Sequence, residues 1–109
     1  MEADVKIEAG ICGFRTTVKA ESQDSQNVTL RIGSTCEKIN TLAAAIHEQN
    51  PIDAYVEISP AGESVILGTA AKKLCGCCAG CVVPAGIFKA MQVAAGLALP
   101  KDIVITMNT

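Results

Sequence analysis

Apolar and polar residues alternate with a period of two in three stretches near the start of the chain. The stretches cover residues 5–9, 14–21 and 28–32. Because a period of two places successive side chains on opposite faces of a β-strand, each stretch is expected to bury one face. Turn-forming residues at 10–13 and 22–26 separate the stretches, which favours an antiparallel meander.

The pattern becomes helical after the third stretch. Ser34 and Glu37 stand three apart, just ahead of a series of apolar residues, and this is the spacing of a capping box. The apolar series has helical spacing and consists of Ile39, Leu42, Ala43 and Ile46. The sequence therefore predicts an amphipathic helix that has Cys36 in its first turn and ends near Asn50-Pro51.

A further strand and a second helix are predicted next. Alternating apolar residues at 54–58 predict a fourth strand. Ser59-Pro60 is expected to cap a second helix that continues to Leu74, although Gly62 and Gly68 weaken it.

The last part of the chain predicts a third helix and a closing strand. Pro84 suits the first turn of a largely apolar helix, which Pro100 ends. Alternation at 103–107 predicts the fifth strand. The whole order, βββαβααβ, predicts an α+β fold: a two-layer sandwich with a mostly antiparallel sheet of about five strands and three helices on one face, in a single domain over residues 1–109.

The candidate chemistry lies in a cysteine-rich loop between the second and third helices. Four of the six cysteines fall within residues 75–81, which read CGCCAGC. Cys75, Cys78 and Cys81 stand three apart, a spacing that lets one short loop present three thiolates to the iron atoms of a cluster. Cys77 interrupts this spacing and is either a further metal ligand or a bystander.

The fourth ligand of such a cluster would come from elsewhere in the chain. In the bacterial ferredoxin motif a fourth cysteine and a proline follow the run, whereas here Pro84 follows without an adjacent cysteine. The two candidates are Cys12, in the first turn, and Cys36, at the start of the first helix. The leading hypothesis is an iron–sulfur protein for electron transfer or redox sensing.

Three other interpretations of the cysteines remain open. Four thiolates also form a closed zinc site, so the domain could be a zinc-stapled interaction module, or a metal-free one, that dimerises through its apolar third helix. Cys78 and Cys81 form a CxxC pair suited to thiol–disulfide exchange. Finally, small thiols pack well beneath a helix without taking part in any chemistry.

Composition and charge limit the classes of molecule that we expect as partners. Half of the residues are hydrophobic and 18% are charged, which favours a homo-oligomer or a complex with a redox partner protein. The formal net charge is -2 and the basic residues are scattered, so nucleic acid is not expected as a partner.

The same considerations bear on location and catalysis. The first residues lack the order of a secretory signal, and the longest apolar tract, residues 82–99, is interrupted by polar residues, so we expect a cytoplasmic protein that does not enter a membrane. His47 is the only histidine and falls near a predicted helix end. No catalytic residues are assigned, and a protein that is not an enzyme is favoured, with a thiol–disulfide enzyme using Cys78 and Cys81 left open.

Two segments carry a resemblance to a known family. An AGxCGF turn at residues 9–14 and a CCAGCVVPxGIxKA stretch at 77–90 resemble a family of short, functionally unassigned single-domain proteins. The resemblance implies a small α+β domain with no assigned activity, and it transfers no catalytic residue.

Overall fold

The computed structural model of the chain describes residues 1–59 and 63–108. Within these residues four β-strands form one antiparallel sheet in the order β1-β2-β3-β4: β1 Glu2–Glu8, β2 Arg15–Glu21, β3 Asn27–Ser34 and β4 Ile52–Asp53. The same residues form four α-helices: α1 Glu37–His47, α2 Ala54–Glu57, α3 Val65–Lys73 and α4 Val83–Ala94. The predicted two-layer α+β architecture is confirmed.

Alternation along the first three strands divides the sheet into a buried face and a wet face. Val18 of β2 is fully buried and lies in register between Val5 of β1 and Ile32 of β3. Helix α4 packs over β1 and β2, and α1 packs over β3. Lys19 and Arg31 point to the opposite face and are exposed. One sheet face therefore builds the core while the other meets solvent.

Helix α4 approaches the sheet very closely at one point. A Cβ atom added to Gly86 would collide with Ile7 Cδ1 and would lie 2.9 Å from Ile7 Cγ1. The absence of a side chain on Gly86 is what allows this spacing. Pro84 lies in the first turn of α4, as predicted. The contact places the start of α4 beside the end of β1.

The predicted fourth strand at 54–58 is wrong. Strand pairing is confined to Ile52–Asp53, and the next residues form α2. Asp53 causes the change, because its carboxylate accepts hydrogen bonds from the N–H groups of Tyr55 and Val56 and so caps a helical turn. With α2, the described residues contain four α-helices, whereas the sequence predicted three.

The predicted fifth strand at 103–107 is not formed either. Within the described residues this segment pairs with no other strand. Its large apolar side chains are exposed: Ile103 by 56%, Val104 by 82%, Ile105 by 67% and Met107 by 83%. The sheet accordingly has four strands in the described part of the chain.

The helix starts also differ from the predictions. Cys36 is the N-cap of α1 and its side chain makes no capping bond, while Ser34 Oγ accepts from the N–H of Cys36 at 3.0 Å. The prediction that Ser34 and Glu37 form a capping box is therefore wrong. Ser64 caps α3 by accepting from the N–H of Leu67. The sequence predicted a cap at Ser59-Pro60 instead, and Pro60 lies outside the described residues.

Helix length bears on membrane association. The longest of these helices, α4, has 12 residues, whereas crossing a bilayer takes about 20. Among the described residues no helix is long and apolar enough to span a membrane.

Candidate functional site

Two hydrogen bonds between Arg15 and Thr35 join the segments that carry the first two cysteines. Cys12 lies in the β1–β2 turn, which ends at Arg15. The N–H of Arg15 donates to Thr35 Oγ1 at 3.0 Å, and its carbonyl accepts from the N–H of Thr35 at 3.0 Å. Cys36 follows Thr35 directly. The start of α1 therefore lies beside the hairpin that carries Cys12.

The cysteine-rich loop, residues 75–82, lies at the same end of the sheet. Lys38 in the first turn of α1 donates from Nζ to Cys78 Sγ at 3.5 Å. The loop leads into α4, whose first turns meet Ile7 at the end of β1 through Gly86. We call this end of the molecule the cysteine end, and it carries Cys12, Cys36, Cys75, Cys77, Cys78 and Cys81.

Tight backbone turns shape the loop. Residues Gly76–Cys78 form one turn of 3₁₀ helix, and Gly76 adopts a φ of 70°, which favours glycine. The N–H of Ala79 donates to the Gly76 carbonyl, and the N–H of Cys81 donates to the Cys78 carbonyl, both at 3.1 Å. Cys78 and Cys81 therefore bracket a single turn.

The six thiols fall into two groups by exposure. The half-buried group packs against the hydrophobic core and consists of Cys36, Cys78 and Cys81. The exposed group consists of Cys12, Cys75 and Cys77. All six are free thiols rather than disulfides. The end of the molecule thus combines buried and accessible sulfur atoms.

The predicted metal ligands share this end but do not form a ready ligand set. Within residues 1–59 and 63–108, no three His, Cys, Asp or Glu side chains lie close enough together to hold one metal ion. Binding a metal at the cysteine end therefore requires the loop thiols to turn toward a common centre. The elements that carry the cysteines share one end of the molecule, and which sulfur atoms bind a metal stays a prediction.

Sequence reasoning missed Lys38 as a neighbour of the cysteines. The two residues joined by the Lys38–Cys78 contact are 40 positions apart, and only the packing of α1 against the loop brings them together. His47, the last residue of α1, has a structural contact, since its Nε2 accepts from the N–H of Ile32 at 3.0 Å.

The rest of the molecule offers a buried carboxylate and two shallow grooves. Glu57 is 4% exposed, and its oxygens accept from Ser64 Oγ at 2.9 Å and from the N–H groups of Val65 and Ile66 at 2.6 and 2.9 Å. It therefore anchors the start of α3.

Two open grooves of about 440 and 340 Å³ lie on the wet face of the sheet and at the β2–β3 turn, and no cysteine lines either one.

Comparison with known proteins gives a family and no activity. No curated protein and no solved structure matches the chain. The model of a family of unknown function, DUF6951, matches residues 3–107, which is nearly the whole sequence. The resemblance to a functionally unassigned family is thereby confirmed. The chain belongs to the family of unknown function DUF6951.

Proposed function

We propose that the protein binds an iron–sulfur cluster at its cysteine end and serves electron transfer or redox sensing. One observation carries the proposal: a hairpin turn, a helix start and a loop bring six free thiols to the same end of the molecule. Thiolates from cysteine are the usual protein ligands of such clusters. Packing alone would explain the three half-buried thiols, but it gives no reason for three exposed ones beside them.

The ligand set follows from spacing and position. Cys75, Cys78 and Cys81 are the three loop ligands, because their even spacing suits one loop wrapped around a cluster. Cys36 is the fourth ligand, since the helix that it begins already contacts the loop through Lys38 and Cys78. Cys12 is the weaker candidate because it is exposed in the hairpin turn.

The loop has room to close around a cluster. Cys75 and Cys77 are exposed, and the position of a Cβ on Gly76 or Gly80 has no neighbouring atom within 4 Å. Moving these residues therefore displaces no packed side chain. Closure is expected to change the loop while leaving the sheet and helices in place.

The test is cluster reconstitution under anaerobic conditions. Reduced protein is incubated with ferrous iron and sulfide, desalted, and assayed for bound iron, acid-labile sulfide, visible absorption and electron paramagnetic resonance. We expect iron and sulfide to be bound in equal amounts, with an absorption that bleaches on reduction. A parallel incubation with zinc tests the rival metal, and stoichiometric zinc without iron–sulfur uptake would replace the cluster by a structural zinc site.

Single Cys→Ser variants test the ligand set. Cys78→Ser and Cys81→Ser should lose most of the cluster, and Cys36→Ser should lose more than Cys12→Ser. Cys77→Ser is the matched control within the loop and should keep its cluster. Wild-type protein that takes up neither iron–sulfur nor zinc would overturn the metal proposal.

The Lys38–Cys78 contact favours a second candidate function, thiol–disulfide exchange. Lys38 Nζ donates to Cys78 Sγ at 3.5 Å and so orients the first sulfur of the CxxC pair. In this reaction the Cys78 thiolate attacks a disulfide of a partner protein, forms a mixed disulfide and releases one partner thiolate. The Cys81 thiolate then attacks the Cys78 sulfur, so the partner leaves as a dithiol and a Cys78–Cys81 disulfide remains. The partner's disulfide is the oxidant.

Trapping distinguishes this function from metal binding. Metal-free protein is mixed with glutathione disulfide and examined by mass spectrometry. The Cys81→Ser variant should accumulate a glutathione adduct on Cys78, and Lys38→Ala should slow its formation, whereas Lys89→Ala, at an exposed position of α4, should not. Equal labelling of all exposed cysteines, with no preference for Cys78, would contradict the exchange function.

A further inference from the structure

The segment 101–107 has the character of a strand but lacks a partner. It follows α4, and within the described residues it has no regular secondary structure. Ile103, Ile105 and Met107 fall on one side of an extended chain, while Val104 and Thr106 fall on the other. The four large apolar side chains of this segment are more than half exposed. An exposed apolar run of this kind typically becomes covered by another surface.

One edge of the sheet is already covered by side chains. Beyond the two-residue strand β4, the backbone of β3 is bonded by α1 and by the residues after it rather than by another strand. Three pairs do this: Asn50 with Leu30, His47 with Ile32, and Asn40 with Ser34. Another strand could not pair at those positions without displacing these bonds.

The other edge, along β1, is open. Met1 and Ser22 exchange backbone hydrogen bonds at 2.6 and 3.0 Å, and the N–H of Ala9 donates to the Phe14 carbonyl at 3.3 Å. The odd-numbered residues of β1 therefore face β2 with their backbone groups. The even-numbered residues direct theirs away from the sheet: Glu2, Asp4, Lys6 and Glu8. In the part of the chain that the structure describes, no other strand pairs with this edge.

We propose that segment 101–107 of one copy of this chain pairs antiparallel with β1 of a second copy, and that the exchange is mutual. Each copy supplies one exposed strand-like segment and one open edge, so a two-fold dimer pairs both features of both copies. The added strands would lengthen each sheet from four strands to five. This inference is independent of what the cysteine end binds.

Charge complementarity selects the register. Asp102 is the only acidic residue of the segment and Lys6 is the only basic residue of β1. Placing them opposite each other in an antiparallel pair sets Ile103 opposite Val5, on the core side of the sheet. Val5 is only half-buried in the single chain. The same register sets Val104 opposite Asp4.

Continuing this register along the segment completes the apolar side. Ile105 falls opposite Ala3, which is also half-buried in the single chain. In this register residues 101–107 lie opposite residues 1–7, so Ile103 and Ile105 cover Val5 and Ala3, which are partly exposed in the single chain. Thr106 falls opposite Glu2 on the wet face.

The first test is the association state of the full chain, measured by sedimentation velocity over a concentration series. We expect a reversible dimer. In the proposed register the N–H of Val104 donates to β1, so Val104→Pro should weaken dimerisation by about tenfold or more. Val104→Ala is the matched control, because it keeps the N–H and loses a side chain only on the wet face. The segment lies outside the core, so both variants should keep the wild-type circular dichroism spectrum.

The side chains give a second, independent pair of variants. Ile105→Lys puts a charge on the core side and should abolish the dimer, whereas Thr106→Lys puts the same charge on the wet face beside Glu2 and should leave it intact. The register is tested by charge exchange: Lys6→Asp and Asp102→Lys should each weaken the dimer, and the double variant should restore it.

Three results would overturn the proposal. The first is a monomer at all concentrations. The second is a dimer that Val104→Pro and Ile105→Lys leave unchanged, which would place the interface elsewhere, for example on α4. The third is hydrogen-exchange protection of the 101–107 amides in the monomer, which would show that the segment pairs within its own chain. None of these results depends on metal content, so failure here is separate from failure of the cluster proposal.

Discussion

The β2–β3 turn and the cysteine-rich loop, which lie at opposite ends of the sheet, are held by different means. At the β2–β3 turn, the carboxylate of Asp24 accepts from the N–H groups of Gln26 and Asn27 at 3.0 and 2.8 Å, from Asn27 Nδ2 at 2.8 Å and from Ser22 Oγ at 3.3 Å. At the cysteine end, the loop turns are closed by backbone groups, and all six thiols stay free. Polar side chains at the Asp24 end are committed to the fold. Of the sulfur atoms at the cysteine end, Cys78 Sγ accepts from Lys38 Nζ at 3.5 Å and Cys12 Sγ donates to the Ala9 carbonyl at 4.0 Å, and none forms a disulfide.

The Asp24 end also includes the buried carboxylate. Gln26 accepts from the N–H of Ala54 at 2.8 Å and donates from Nε2 to Asp53 Oδ2 at 3.0 Å. These bonds fix the start of α2, the helix that ends in Glu57. Hydrogen bonds from the turn to α2, and from Glu57 at the end of α2 to α3, therefore connect the turn with the start of α3. The comparison predicts that substitutions of polar side chains at this end reduce stability, while substitutions of exposed thiols at the other end do not.

The largest expected effect is that of Glu57→Ala. The substitution removes the acceptor for one hydroxyl and two backbone N–H groups, and we expect the free energy of unfolding to fall by about 2–4 kcal/mol. Urea denaturation followed by circular dichroism measures it. Glu63→Ala, at an exposed position before the same helix, is the control and should change the value by less than about 0.5 kcal/mol. A similarly small loss for Glu57→Ala would contradict the structural assignment.

The next effect concerns the close contact that positions the cysteine end. Gly86→Ala places a methyl group against Ile7, and we expect a loss of about 1–2 kcal/mol in the free energy of unfolding. Adding Ile7→Val should recover part of it. Gly68→Ala is the control within α3, where the added methyl group meets no atom within 4 Å, and it should gain about 0.5–1 kcal/mol. Equal effects at the two glycines would show that α4 is not closely packed at Gly86.

The exposed thiols should contribute little to stability. Cys12→Ser, Cys75→Ser and Cys77→Ser should each change the free energy of unfolding of metal-free protein by less than about 0.5 kcal/mol. Thermal unfolding monitored in a reducing buffer checks this. A loss of several times that value at any of the three would mean that the cysteine end depends on its sulfur atoms for structure, which removes the contrast with the Asp24 end.

The last prediction concerns the pH dependence of the Asp24 turn. Hydrogen bonds from the Asn27 side chain, and then from the backbone N–H groups of Asn27 and Gln26, hold the pKa of Asp24 well below its ordinary value of 3.8. Because the pKa is lowered in the folded state, the carboxylate stabilises the fold above the unfolded-state pKa. This contribution is lost as the pH falls from that value through the folded-state pKa.

Asp24→Asn tests this linkage. The variant should be less stable than wild type at neutral pH, and the difference should shrink as the pH drops below about 4. Melting temperatures across an acid pH series measure the difference. A gap that stays constant down the series would mean that the turn does not depend on the charge of Asp24.

The sequence predicted the elements whose periodicity is not opposed by another local signal. The first three strands and α4 follow their periodicities, and all of them form. The 54–58 stretch alternates over as many residues as 5–9 and 28–32, but the cap supplied by Asp53 turns most of it into a helix. The 103–107 stretch fails for a different reason. Its residues alternate as in a strand, but no strand of the described sheet pairs with it.

The candidate site was predictable in composition but not in arrangement. The spacing of the loop cysteines and the position of Cys36 at a helix start can be seen in the sequence. The exposure of each thiol and the approach of Lys38 to Cys78 depend on how α1 packs against a loop 40 residues away. No local pattern encodes such a contact.

The loop that carries four of the thiols is fastened at both of its borders. Leu74, on one side, and Val83, on the other, are 4% and 0% exposed and belong to the core. Because both borders are fixed in the core, the short loop between them stays close to the surface of the domain. Under the proposed electron transfer, a redox partner would therefore have to dock directly over this loop.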